Sequence, residues 1–166
     1  LDAGSWKEEK YRGEKIPFLS EVVSTIPGDK ILVVEIKCGE EIIPHLQRVV
    51  NHSKKADQIV FISFGWQTIV KTKKIFPENK CYWLSAIKTG LKQKMEKAAR
   101  AGLEGVNLNH KMIDEKIMKM AERYNLEVLT WTVDDPKEAK RLTDLGVAGI
   151  TTNRPKWLKD QMDTGN

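Results

Sequence analysis

The feature that most constrains this chain is a short run of apolar, β-branched residues that recurs along its length. ILVVEIK begins at 31, DQIVFISF at 57, KCYWLSAI at 80, LEGVNLN at 103, LEVLTWTV at 126 and GVAGITT at 146. Successive starts lie 26, 23, 23, 23 and 20 residues apart, which leaves room each time for one strand and one returning helix. Such alternation predicts an α/β fold of parallel strands joined by right-handed crossovers.

The intervening stretches have helical periodicity. GLKQKMEKAARAG places Leu91, Met95, Ala98 and Ala99 at helical spacing before a stop at Gly102, and MIDEKIMKMAERYN does the same with Ile113, Ile117, Met120 and Ala121 ahead of Asn125. Asp135 followed by Pro136 forms an N-cap and first-turn proline for PKEAKRLTDLG, which Gly146 ends. A further helix, IPFLSEVVSTI, precedes the first strand. The methionines and Trp66, Trp83 and Trp157 are expected to pack, and KTKK at 71–74 to form a solvated helix face.

Six parallel strands suit two architectures. One is an open doubly wound sheet, but no glycine-rich phosphate loop follows any strand, which weighs against a dinucleotide site. The other is a (β/α)8 TIM barrel of about 250 residues. The chain would then supply the last six βα units, with about 80 residues of barrel expected before Leu1.

The net charge of +5 comes from basic residues scattered along the helical segments, so a solvated surface is expected and not a nucleic-acid patch. Cys38 and Cys81 lie in or just after strand runs without metal-ligand spacing. They are expected to be reduced, semi-buried thiols, which favours a reducing compartment such as the cytoplasm. No apolar run approaches the roughly 18 residues of a transmembrane segment. Nothing in the pattern assigns an oligomeric state.

Within the first strand, Glu35 and Lys37 stand two residues apart, so a carboxylate and an ammonium project to the same face at the strand end. They form either a strand-end ion pair or part of a site. Ser63 and Phe64 end the second strand and either line the same mouth or serve the structure. Asn107 and Asn109 are also two apart, suited to a polar ligand or to loop backbone.

Taken together, LDAGSW at 1–6, GEKIPFLSEV at 13–22, VVEIK at 33–37, ISF at 62–64, WTVDDP at 131–136 and GVAGITTNRP at 146–155 resemble the glycerophosphodiester phosphodiesterases. The resemblance runs through nearly the whole chain and implies the (β/α)8 barrel. Residues 1–16 are then the end of an insertion or linker segment and 17–166 a partial barrel domain. The implied activity is hydrolysis of a small-molecule glycerophosphodiester to glycerol 3-phosphate and an alcohol, aided by a divalent cation, Mg2+ or Ca2+. By the same resemblance Glu35 is a metal ligand, Lys37 reaches the substrate phosphate and Trp131 lines the pocket near the glycerol moiety. The family's H-R-G, E-x-D and H-D motifs, which carry the catalytic histidines and the other metal carboxylates, are absent from this sequence. His45, His52 and His110 do not match them. His45 and His52 are expected on a helix surface, while His110 follows a strand end and could face the pocket. The chain alone is therefore expected to be inactive, with the histidines upstream of it. The alternative is a non-catalytic barrel that binds a phosphate ligand. Smaller departures are Asp134, Ala148 and Asn153, where the family often has asparagine, aspartate and aspartate.

Overall fold

The structure, a computed structural model, describes residues 1–163. The last three residues of the expected 17–166 domain lie outside it. All six apolar runs form strands: β1 (Leu32–Glu35), β2 (Ile59–Ser63), β3 (Cys81–Ser85), β4 (Gly105–Asn109), β5 (Glu127–Trp131) and β6 (Gly149–Ile150). They pair in sequence order as one parallel sheet. The helices alternate with them: α1 (Leu19–Thr25), α2 (Ile43–Ser53), α3 (Trp66–Ile75), α4 (Leu91–Arg100), α5 (Glu115–Arg123), α6 (Pro136–Asp144) and α7 (Pro155–Asp163).

The helix ends follow local chemistry. Asp114 accepts from the Ile117 N–H at 2.9 Å to cap α5, and Asp135 accepts from the Lys137 N–H at 2.9 Å to cap α6 ahead of Pro136. Asn125 and Gly146 take the left-handed conformation that ends α5 and α6. Helix α1 begins only at Leu19, because Ile16, Pro17 and Phe18 precede it in non-helical conformation and the Glu21 carboxylate accepts from the Phe18 N–H at 2.6 Å.

Alternate residues along the strands serve two cores. Leu32, Val34, Ile59, Phe61, Cys81, Trp83, Val106, Leu108 and Val128 pack outward against apolar residues of the helices, including Leu46, Ile69, Met95, Ile117 and Leu142. Val60, Ile62, Tyr82, Leu84, Leu129 and Trp131 form a second, inner cluster on the other face. Val33, also on the inner face, is 49% exposed because β1 is an edge of this sheet among the described residues.

The register defines the curvature. The hydrogen-bonded line that leaves Glu35, the last residue of β1, passes through Ile62, Tyr82 and Gly105 and arrives at Glu127, the first residue of β5. Four steps sideways thus cost about four residues of height, a stagger of about one residue per strand, as in an eight-stranded barrel of shear 8. The molecule is a curled partial barrel with helices outside.

The lower inner core is sealed by a polar clasp. Tyr82 Oη donates to Glu127, whose other oxygen accepts from Lys80 at 2.6 Å. Burial pushes the Glu127 carboxyl up, but Lys80 and Tyr82 outweigh it and leave it below its ordinary value. The clasp depends on Gly105, where a Cβ would stand 2.0 Å from the Glu127 carbonyl oxygen and 2.9 Å from the Tyr82 ring. Nearby, Lys73 corrects the expected solvated face of 71–74. Its ammonium donates to the carbonyls of Pro77 and Asn79 and to Glu104, because the helix ends over the strand connections. The thiols also differ from expectation: Cys38 is exposed beyond the end of β1, and Cys81 is fully buried, where burial pushes its thiol up to about 12.

Gly105→Ala is expected to lower unfolding stability by about 3 kcal/mol. Gly28→Ala, at a position with no atom within 4 Å of the added methyl, is expected to be neutral or slightly stabilising. Denaturant unfolding midpoints of the two variants check the contrast.

Candidate functional site

The carboxyl ends of the strands gather at one mouth, and two of the three residues singled out there differ from their neighbours in having no structural duty. Glu35 and Lys37 project together as the spacing requires, with Lys37 Nζ 3.7 Å from Glu35 Oε2. That is beyond hydrogen-bonding distance, and an exposed pair of this kind contributes little to stability. Glu35 is exposed at the end of β1, and its carboxylate makes no hydrogen bond to the described residues.

The backbone carrying the pair is fixed at Ile36, between them. The Ile36 N–H donates to the Ile62 carbonyl at 2.8 Å, and the Ile36 carbonyl accepts from Ser63 Oγ at 2.7 Å. Ser63 Oγ also accepts from the Gly65 N–H at 3.1 Å. Ser63 is therefore a buried positioning group behind the mouth and does not line it. Phe64 does turn into the mouth, where it is 51% exposed and meets Trp131 edge to face at 5.8 Å between ring centroids. Trp131 Nε1 donates to the Asn107 carbonyl at 3.3 Å, which orients the indole across the inner cluster. Asn107 faces the barrel interior, whereas Asn109 is used locally, its Oδ1 accepting from the Lys111 N–H at 3.1 Å.

None of the histidines bonds to Glu35 or Lys37. His45 and His52 are exposed on α2, bonded to Arg48. His110, just after β4, lies with its Nδ1 2.8 Å from Glu138 of α6 and lines a crevice with Thr132 and Asp134. Arg141 holds the Glu138 carboxyl down at about 2, with His110 contributing, and also donates to the Ile113 carbonyl at 2.9 Å. Neither Glu138 nor Arg141 carried a sequence signal beyond helical i,i+3 spacing. A second polar link joins the two last loops: Asp134 accepts from Thr152 Oγ1 at 2.7 Å and from the backbone and side-chain N–H groups of Asn153 at 2.8 Å each. Asn153 foremost, then Thr152, keeps the Asp134 carboxyl below its ordinary value.

Crevice size does not decide the site. A crevice of about 660 Å³ between α5, α6 and the start of β5 is lined by Met118, Leu126 and Leu145 at the opposite end of the barrel.

Glu138 sets an expected pH response. Its carboxyl falls from an ordinary 4.5 to about 2 on folding, so its stabilisation is complete above about pH 4.5 and is lost as pH falls toward 2. Glu138→Gln is expected to make the acid limb of the stability profile shallower over that window, as measured by thermal unfolding at a series of pH values.

Comparison with known proteins places these residues in context. The family model described as glycerophosphoryl diester phosphodiesterase family matches residues 1–157. A glycerophosphodiester phosphodiesterase of Caldanaerobacter subterraneus subsp. tengcongensis is 28% identical over 95% of this chain and 66% of its own length. One from Bacillus subtilis is 26% identical over 93% of this chain and 59% of its own length. Among solved structures, an Oleispira antarctica phosphodiesterase in complex with the product sn-glycerol-3-phosphate superposes with a TM-score of 0.80 at 22% identity, over 98% of this chain and 67% of the other. A glycerophosphodiester phosphodiesterase from Agrobacterium tumefaciens gives 0.74 at 18% identity, over 98% of this chain and 68% of the other. The structural likenesses establish the fold, and the chain spans about two thirds or less of the length of these curated relatives. With the family model covering nearly all of the described residues, this chain belongs to the glycerophosphoryl diester phosphodiesterase family.

Proposed function

We propose that the mouth is the substrate site of a glycerophosphodiester phosphodiesterase that releases glycerol 3-phosphate and an alcohol. The observation that carries this reading is the unused pair at the end of β1. Glu104, Glu127 and Glu138 are each bonded by neighbouring side chains, while Glu35 makes no hydrogen bond to the described residues. The Lys37 ammonium, also without a hydrogen bond to the described residues, is suited to meet a phosphodiester oxygen and stabilise the charge that develops as the ester bond breaks. Trp131 and Phe64 offer an apolar wall for the glycerol carbons.

Glu35 has the hard oxygen donors that Mg2+ or Ca2+ prefers. Among the described residues, no group of three or more His, Cys, Asp or Glu side chains is placed to hold a metal ion. One carboxylate does not satisfy a cation that takes about six or more oxygen ligands. The described residues thus form an incomplete cation site, and no step is assigned through it. The catalytic histidines belong, on this reading, to the H-R-G and H-D motifs upstream of the sequence, and residues 1–16 are the end of an insertion or linker segment.

A second reading, a barrel that binds phosphate ligands without turnover, draws on the three histidines being bonded to Arg48 and Glu138 and not to Glu35 or Lys37. The two readings part on one assay. In the full-length protein, glycerophosphodiester hydrolysis is expected to stop on chelation and return with added Mg2+ or Ca2+. Lys37→Ala is expected to lower kcat/KM by about 100-fold, with an unchanged circular dichroism spectrum. Binding without any turnover would favour the second reading.

A further inference from the structure

Every exposed Phe, Tyr or Trp side chain among the described residues lies at the mouth end of the molecule. They are Trp6, Tyr11, Phe18, Phe64 and Trp157, and the exposed Ile87 joins them. Single apolar side chains scattered over a surface are ordinary, but their collection at one end marks an interaction surface. Phe64 and Ile87 stand just beyond the carboxyl ends of β2 and β3, and Trp157 lies in the first turn of α7, just after β6. Helix α1 is oriented by Lys55, just before β2, whose ammonium donates to the carbonyls of Ser24 and Ile26 at 3.0 and 2.6 Å. The end of α1 is therefore at the amino ends of the strands, and Phe18 and the loop before it stand at the other end, with the mouth.

That loop is built to hold a ring in solvent. The Asp2 carboxylate accepts from the N–H groups of Gly4, Ser5 and Gly13 at 2.9, 2.9 and 3.0 Å, and Asp2 also bridges to Lys15. Trp6 Nε1 donates to the Ala3 carbonyl at 2.8 Å, while the residue stays 81% exposed. The one polar group of the indole is thus satisfied within the loop, so burying the ring against a partner leaves no donor unpaired.

Charge selects the partner. Residues 1–18 and the loops that follow the six strands together carry eight basic and nine acidic side chains, so the chain's excess of +5 lies elsewhere. A face so balanced does not suit a polyanion or a strongly anionic membrane. It matches a zwitterionic lipid surface, where ammonium and phosphate groups lie side by side and aromatic rings settle between headgroups and acyl chains. Two rings already carry a neighbouring cation, Lys10 at 4.9 Å from Tyr11 and Arg154 at 4.6 Å from Trp157.

We infer that the mouth end is a docking surface for a zwitterionic phospholipid bilayer, on which Trp6, Phe18, Phe64, Ile87 and Trp157 rest with the mouth turned to the headgroups. The choice of a bilayer over a protein partner rests on the mouth being the glycerophosphodiester site, because a phospholipid headgroup contains the same glycerol phosphodiester.

The test is co-sedimentation of the full-length protein with phosphatidylcholine vesicles, beside hydrolysis of water-soluble glycerophosphocholine with Mg2+ present. The wild type is expected to partition onto the vesicles and to stay bound as NaCl rises from about 0.1 to about 0.5 M, where surface charges are screened. Trp6→Ser and Ile87→Ser are each expected to lower the partition coefficient about tenfold or more, with kcat/KM on the soluble ester unchanged. Ile75→Ser, at the exposed end of α3 on the opposite side of the barrel from the mouth, is expected to leave partitioning unchanged. Absence of binding to these vesicles overturns the inference, as does wild-type partitioning by both the Trp6 and Ile87 variants. Binding confined to vesicles that contain phosphatidylserine, and abolished by salt, overturns it as well, because charge and not the rings would then carry the contact. Hydrolysis without vesicle binding overturns the surface and leaves the site reading intact, whereas vesicle binding without hydrolysis supports the surface and overturns the site reading.

Discussion

The one-residue step between neighbouring parallel strands is the constraint on which the rest of this molecule depends. Parallel strands cannot be joined by tight turns, so each step requires a helix, and the helices all fall on one face of the sheet. The step makes the sheet curl and turns its other face into an interior. It also raises the end of β5 to the level of the end of β1, so that Trp131 and Glu35 become neighbours in height despite being on strands four places apart. A flat sheet with the same side chains would have no mouth.

Within that frame, the carboxylates divide by what already binds them. Glu104 and Glu127 close the lower end of the barrel with Lys73, Lys80 and Tyr82, and Glu138 fastens α6 to the loop after β4. These groups are committed to the fold, and redirecting one to a ligand would break the hydrogen bonds it already makes. Glu35 carries no such commitment, and its backbone is held instead by Ser63. Rigidity supplied through the main chain leaves the side chain available for chemistry.

The strand count, the helix phases and the caps at Asp114 and Asp135 were legible in the sequence because each is a local signal: hydrophobic period, a capping residue, a proline or a terminal glycine. Glu35 and Lys37 were legible as a pair for the same reason, since period-two spacing fixes their common face. What escaped was every feature made by two distant segments. Ser63 reads as one more strand residue until the Ile36 carbonyl is placed beside it. Lys73 looks solvated until the loops after α3 fold beneath it, and His110 looks available until Glu138 arrives from α6. Both cysteines are free thiols, but neither is semi-buried, because the end of β1 projects into solvent while β3 lies in the centre of the sheet.

The link between Asp134 and Asn153 bears on how these loops can change over time. The family resemblance often gives asparagine and aspartate at these two positions, the reverse of the acid and amide seen here. Either order matches a donor to an acceptor. Passage between the orders by single replacements must go through two amides or two carboxylates, and only the former avoids placing like charges face to face in loops already crowded with acceptors. Because Asp134 accepts from both the backbone and the side chain of Asn153, a replacement at either position changes what the other can bind.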